Sequence, residues 1–115
     1  MELQVAGTFN ATSSTLDLTD SLKIVGDGVV DLDACTVTSN SNGRIMISNS
    51  ADLYATTSTS LTIGQKLDVT DLGTFNLDNS ILTMATTASI SISSSGRVVV
   101  DNASTIEVDG PLVMT

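Results

Sequence analysis

Histidine and tryptophan are absent from this 115-residue chain, and cysteine and proline occur once each. Without histidine, general acid–base catalysis loses its commonest residue, and Cys35 has no imidazole to activate it as a nucleophile. A single cysteine rules out an internal disulfide and fits no zinc site. Its neighbours in the repeat described below make it a small inward or turn-facing residue. Pro111 lies at the far end, where it disturbs no central ladder. Basic residues number only 4, against 13 acidic ones, for a net charge of −9. Lys23, Arg44, Lys66 and Arg97 are scattered, so neither nucleic acid nor an anionic membrane surface is an expected partner. No apolar run of about 18 residues exists, so no membrane insertion is expected. Good helix formers are sparse, which disfavours helix throughout.

What is present is a degenerate block that recurs five times. Its copies read Gly7-TFNATSSTLDL, Gly28-VVDLDACTV, Gly43-RIMISNSADLYA, Gly73-TFNLDNSILTMA and Gly96-RVVVDNASTIEV. Counting from each glycine, the second position is Phe9, Val30, Ile45, Phe75 or Val98, and the fourth is Ala11, Leu32, Ile47, Leu77 or Val100. The sixth is Ser13, Ala34, Asn49, Asn79 or Asn102, and the seventh, always small, is Ser14, Cys35, Ser50, Ser80 or Ala103. Between the blocks, apolar residues keep a spacing of two, as in Leu22-Lys-Ile24, Leu61-Thr-Ile63, Leu67-Asp-Val69 and Ile90-Ser-Ile92. Short alternating runs separated by Ser, Asn, Asp and Gly read as strands joined by tight turns.

Self-similarity at this period predicts an all-β, single-stranded parallel β-helix, one β-solenoid domain or segment over residues 1–115. From Gly7 to Gly96 the step averages about 22 residues, although one step is 15 and another 30. One way to absorb the difference is that Gly28 begins a strand inside a coil. Another register sets Leu61-Thr-Ile63 and Leu67-Asp-Val69 with Leu22-Lys-Ile24 on a third face. Either count gives about five coils, a stack about 25 Å tall. The predicted core is Phe9, Val30, Leu32, Ile45, Ile47, Phe75, Leu77, Val98 and Val100. Asn49, Asn79 and Asn102 are candidates for an amide ladder at one corner, or else turn-favoured surface residues.

Candidate chemistry is thin. Asp27, Asp31 and Asp33 place three carboxylates on a Gly-rich turn and the strand after it, a candidate Ca²⁺ site. Neither an EF-hand loop nor a Gly-rich nonapeptide accompanies them. No other cofactor is implied. Asp31 with Asp33 and Asp68 with Asp71 are the only acid pairs offered for glycosidase-type catalysis, and an enzyme is not expected. The pairs Thr36-Val-Thr38 and Thr57-Ser-Thr59 do not recur at one repeat position, so no regular hydroxyl plane of the ice-binding kind is expected. The sequons at Asn10 and Asn102 are no more than a Ser- and Thr-rich chain produces by chance.

The blocks Gly73-TFNLDNSILTM and Gly96-RVVVDNASTIEV resemble the strand repeats of bacterial autotransporter passengers and filamentous surface adhesins. The resemblance spans residues 7 to 108 and implies a right-handed parallel β-helix outside the cell. Its implied role is structural: a subunit or segment of an extracellular or cell-surface solenoid. Its partners would be further copies stacked head to tail, or neighbouring coils of a longer chain. A membrane-barrel domain is not visible, and the start Met1-ELQVAGTFN lacks the basic and apolar regions of a signal peptide. The Ser-, Thr- and Asn-rich, Lys-poor composition points to a processed chain or an artificial start. The alternatives are a cytoplasmic polymerising scaffold resembling the bactofilins, and a calcium- or carbohydrate-binding β-helix.

Overall fold

The computed structural model describes residues 3–109 and 112–114. The chain winds through five coils, each of three short strands, and every ladder is parallel. The first coil is β1 (Leu3–Val5), β2 (Thr8–Thr12) and β3 (Thr15–Leu18). The second is β4 (Ser21–Ile24), β5 (Val29–Asp33) and β6 (Thr36–Ser39), and the third β7 (Arg44–Ile47), β8 (Asp52–Thr56) and β9 (Ser60–Ile63). The fourth is β10 (Lys66–Val69), β11 (Thr74–Asp78) and β12 (Ile81–Met84), and the fifth β13 (Ser89–Ile92), β14 (Arg97–Asp101) and β15 (Thr105–Val108). A last strand, β16 (Leu112–Met114), lies on β13. The strands sort into three sheets: a first face β1-β4-β7-β10-β13-β16, a second β2-β5-β8-β11-β14, and a third β3-β6-β9-β12-β15.

Alternation at period two sends every second side chain inward, and parallel in-register pairing stacks like positions. On the first face Leu22, Ile45, Leu67 and Ile90 form one inward column. On the second, Phe9, Val30, Leu53, Phe75 and Val98 form another. On the third, Leu16, Val37, Leu61, Leu82 and Ile106 do the same. These columns meet in one aliphatic core that holds a fully buried Phe75.

The repeat register differs from the glycine count at one block. Gly7, Gly28, Gly73 and Gly96 each precede a second-face strand, but Gly43 precedes β7 on the first face. In the third coil the equivalent position is Ala51. A backbone ladder shows it: Val29 N–H donates to Gly7 O, Asp52 N–H to Gly28 O, Thr74 N–H to Ala51 O, and Arg97 N–H to Gly73 O. With Ala51 in place the steps become 21, 23, 22 and 23 residues. Ile45 and Ile47 are therefore core residues of the first face and not partners of Phe75; Leu53 takes that place. Leu67-Asp-Val69 does stack with Leu22-Lys-Ile24, through β7, whereas Leu61-Thr-Ile63 belongs to the third face. Of the nine predicted core residues, Phe9 and Val98 are half-buried, and Val100 is 47% exposed because it points inward from a coil with no coil above it on that face.

The corners explain the turn-rich composition. After the first face, Gly26, Asn49, Asp71 and Ser94 share the left-handed region at φ 61°, 59°, 56° and 57°. After the second, Ser13, Ala34, Thr57, Asn79 and Asn102 do so at φ 49°, 54°, 55°, 48° and 46°. Gly and Asn enter this region at least cost, whereas a Cβ elsewhere costs about 1–2 kcal/mol. Asn49 thus sits at a different corner from Asn79 and Asn102, so the three do not form one column. All three are exposed, and Asn102 donates from Nδ2 to Asp78 Oδ1 at 2.7 Å. Ala34 already fills the Asn79 position in the second coil. Asn79→Ala should be tolerated at a cost of about 1–2 kcal/mol from the left-handed backbone alone, and Asn79→Gly should be neutral or stabilising. Urea melts of both variants would show it, and a larger loss would mean that the amide is structurally engaged.

Candidate functional site

The three carboxylates proposed for calcium are not brought together. Asp27 is exposed in the turn before β5, Asp31 points outward from the middle of β5, and Asp33 ends that strand half-buried. Extended backbone keeps residues two apart about 6.6 Å from each other with parallel directions, so the pair on the strand does not converge on one ion. Among the described residues no group of three or more His, Cys, Asp or Glu side chains is placed to hold a metal. The other acid pair is also separated. Asp68 faces outward on β10 beside Lys66, with Nζ to Oδ2 at 3.2 Å, and Asp71 occupies a left-handed corner.

The second corner carries an internal spine of hydroxyls that the glycine count only half resolves. Cys35 N–H donates to Thr59 Oγ1 at 3.1 Å, Thr59 N–H to Ser80 Oγ at 3.1 Å, and Ser80 N–H to Ser104 Oγ at 3.1 Å. Each hydroxyl in turn reaches a carbonyl: Thr59 to Thr56 O at 2.7 Å, Ser80 to Asp78 O at 2.9 Å, Ser104 to Asp101 O at 2.6 Å. Cys35 Sγ takes the same role more weakly, 3.3 Å from Ala11 O and 3.4 Å from Asp33 O. The thiol is buried, as a structural member of this column. Ser14, Cys35 and Ser80 were legible as small residues at one position; Thr59 and Ser104 were not. This spine joins coil to coil and leaves no buried side-chain polar atom unpaired among the described residues.

The third face presents a partial threonine array. Thr38, Thr62 and Thr83 stack outward in register, so Thr residues do recur at one position there. The column is bounded by Asp17 at one end and Glu107 at the other, and Thr38 donates its hydroxyl to Asp17. Ile81 interrupts the neighbouring column of Thr36 and Ser60. Thr59, the last member of the other Thr-x-Thr pair, is buried in the spine.

The two ends of the stack are the least satisfied parts of the molecule. Among the described residues, the strands β1, β2 and β3 pair on one side only, and so do β14, β15 and β16. At the late end, Ile90, Ile92, Val98, Ile106, Val108 and Leu112 line an open apolar basin of about 340 Å³. Leu112 is 59% exposed and Val100 47%, whereas the column mates Leu32 and Leu77 of Val100 are at 0% and 1%. At the early end Leu3, Phe9, Ala11 and Leu16 are half-buried, packed on the core from below. No family model, curated protein or solved structure matches this chain.

Proposed function

We propose that this chain is a structural unit of an extracellular or cell-surface β-solenoid, a filament or adhesin that works by axial stacking. Stacking sets an end coil against a second copy or against further coils of a longer chain. The observation that carries the reading is the pair of open ends: free strand edges around inward apolar columns that every inner coil keeps covered. A free edge is a template for another parallel strand, and an apolar basin loses about 25 cal/mol of free energy for each Å² it removes from water. A contact between two different ends does not close on itself, so repetition gives a fibre. The outward faces support display: they are rich in Ser, Thr, Asn and Asp, and the net charge of −9 opposes lateral clumping of stacks. The extracellular placement rests on that composition and on the adhesin-like repeats.

The test is negative-stain electron microscopy with sedimentation velocity on the purified chain. Fibres about 30 Å wide are expected, a width set by the span of the molecule, 32 × 31 × 28 Å. Val100→Asp and Leu112→Asp place a charge on side chains already half exposed. Each should abolish the fibres while the β-type circular dichroism persists. Monodisperse wild-type monomers at high concentration would overturn self-stacking.

A further inference from the structure

We propose that two copies of this chain dock side by side, the first face of one on the second face of the other. The charged side chains that point outward from the described strands are sorted by face. On the first face they are Lys23, Arg44 and Lys66, with Asp68 as the one acid. On the second they are Asp31, Asp33, Asp52, Asp78 and Asp101, with Arg97 as the one base. In the second to fourth coils the third face carries only Thr, Ser and Ile81 at its outward positions. A net charge of −9 opposes indiscriminate contact between copies, but charge sorted in this way favours one particular contact.

The ladders fix where these groups stand. Neighbouring coils lie about 4.8 Å apart, and outward positions on one strand about 6.7 Å. Two copies set level, with their axes pointing the same way, bring the strands of the facing sheets past each other in opposite directions. Placing Met46 over Tyr54 then sets Lys23 opposite Asp31, Lys66 opposite Asp78, Asp68 opposite Asn76, and Ser89 opposite Asp101. Arg44 arrives over Thr56, with Asp33 and Asp78 on the coils to either side. No two like charges face each other, and Asp52 and Arg97 lie outside the footprint. Lys66 already pairs with Asp68 at 3.2 Å, and Asp78 already accepts from Asn102 at 2.7 Å. An ammonium has three donors and a carboxylate about four lone pairs, so each keeps capacity for a second partner.

Two features besides charge fit this register. Tyr54 stands at the middle of the second face, 37% exposed, and a thioether such as that of Met46 makes favourable contact with an aromatic ring. Thr56, Asn76, Asp78 and Asp101 line a shallow groove of about 200 Å³ beside Tyr54, where the long Arg44 and Lys66 side chains arrive. Turning one copy end over end also brings Lys66 onto Asp31 and Lys23 onto Asp78. It then sets Asp68 on Asp33, two like charges, and moves Met46 to Thr56. The footprint of four coils covers about 400 Å² on each copy, which makes a weak contact between single chains. Copies joined along an axis would repeat it and gain avidity.

Cross-linking tests this, and it needs no axial stacking, so fibres and lateral docking succeed or fail separately. A Met46→Cys chain mixed with a Tyr54→Cys chain and a short bifunctional maleimide should give a linked dimer. Its yield should exceed that of either variant alone by about fivefold or more; Cys35 is buried and stays out of the reaction. Adding Arg44→Glu and Lys66→Glu to the first chain should cut the yield about tenfold, as should adding Asp33→Lys and Asp78→Lys to the second. Both sets together should restore it to within about threefold, although both chains remain net negative. About 0.5 M salt should suppress the wild-type contact severalfold. Circular dichroism checks that each variant keeps its β structure, as outward positions should allow. Equal yields for mixed and single variants, or no recovery in the doubly reversed mixture, would overturn the proposal. A higher yield with Thr56→Cys than with Tyr54→Cys would refute this register in favour of the end-over-end arrangement.

Discussion

Phe75→Ala should destabilise the chain by about 3–5 kcal/mol, the cost of truncating a buried aromatic side chain and leaving a cavity. Its ring is fully buried, stacked between Leu53 of the third coil and Val98 of the fifth. Removal opens a void in the middle of a column, and the parallel ladders on either side hold the backbone too firmly for it to collapse. Two controls use the same strand and the same column. Thr74 is adjacent, faces outward, and contributes its backbone N–H to Ala51 O. Thr74→Ala keeps that bond and should stay within about 0.5 kcal/mol. Phe9 occupies the same column as Phe75 but in the end coil, where it is half-buried, so Phe9→Ala should cost distinctly less. Denaturant melts should rank the three Phe75→Ala, Phe9→Ala, Thr74→Ala. Equal losses for Phe75→Ala and Thr74→Ala would mean that the strand faces have been assigned the wrong way round.

Period-two alternation is a direct readout of which side chains point inward, and it carried the fold. Phe9, Val30, Phe75 and Val98 fall in one column as their common distance from a glycine suggested. Glycine itself was the less dependable marker, because two different corners use it. Gly43 closes the turn from Asn40, its N–H donating to Asn40 O, and opens a first-face strand. The position that Gly28 and Gly73 hold is filled in the third coil by Ala51, which carries no signal of its own. Close approach, and not turn geometry, is what selects another glycine: a Cβ on Gly64 would run into the backbone carbonyl of Asn40 one coil away.

The candidate carboxylates were legible as neighbours in sequence but not in space. Alternation puts Asp31 and Asp33 on one side of β5, yet a flat strand spreads such side chains where a loop would converge them. The open ends were foreshadowed by the apolar residues near both termini, Leu3 and Val5 at one and Leu112 and Met114 at the other. The hydroxyl spine was displaced in the sequence count for a definite reason. The second corner has two residues in the first, second and fourth coils but three in the third and fifth. Ser58 and Ala103, at φ 63° and 59°, are the extra left-handed residues, and they push Thr59 and Ser104 one place along.

That spine supplies the second large effect. Thr59 lies in the middle coil at 1% exposure, and its hydroxyl is the acceptor for Cys35 N–H. Its single proton serves Thr56 O at 2.7 Å or Leu32 O at 3.0 Å. Thr59→Val keeps the volume and the β-branch but turns a methyl toward that buried N–H. An orphaned buried donor costs about 1–3 kcal/mol, and the one hydroxyl-to-carbonyl bond is lost with it; Thr56 O still accepts from Ala34 N–H. Thr59→Ser retains the oxygen and should recover most of the stability, losing only a buried methyl, about 0.5–1.5 kcal/mol by analogy with Ile→Val. Ser14→Ala, at the exposed first-coil end of the same column, where Oγ reaches Thr12 O at 2.8 Å, should stay within about 0.5 kcal/mol. Urea melts establish the ranking, and amide hydrogen exchange locates its cause. The Cys35 amide should lose protection in Thr59→Val and keep it in Thr59→Ser. Unchanged protection of that amide together with a loss below about 0.5 kcal/mol would show that the sheets alone hold the coils in register.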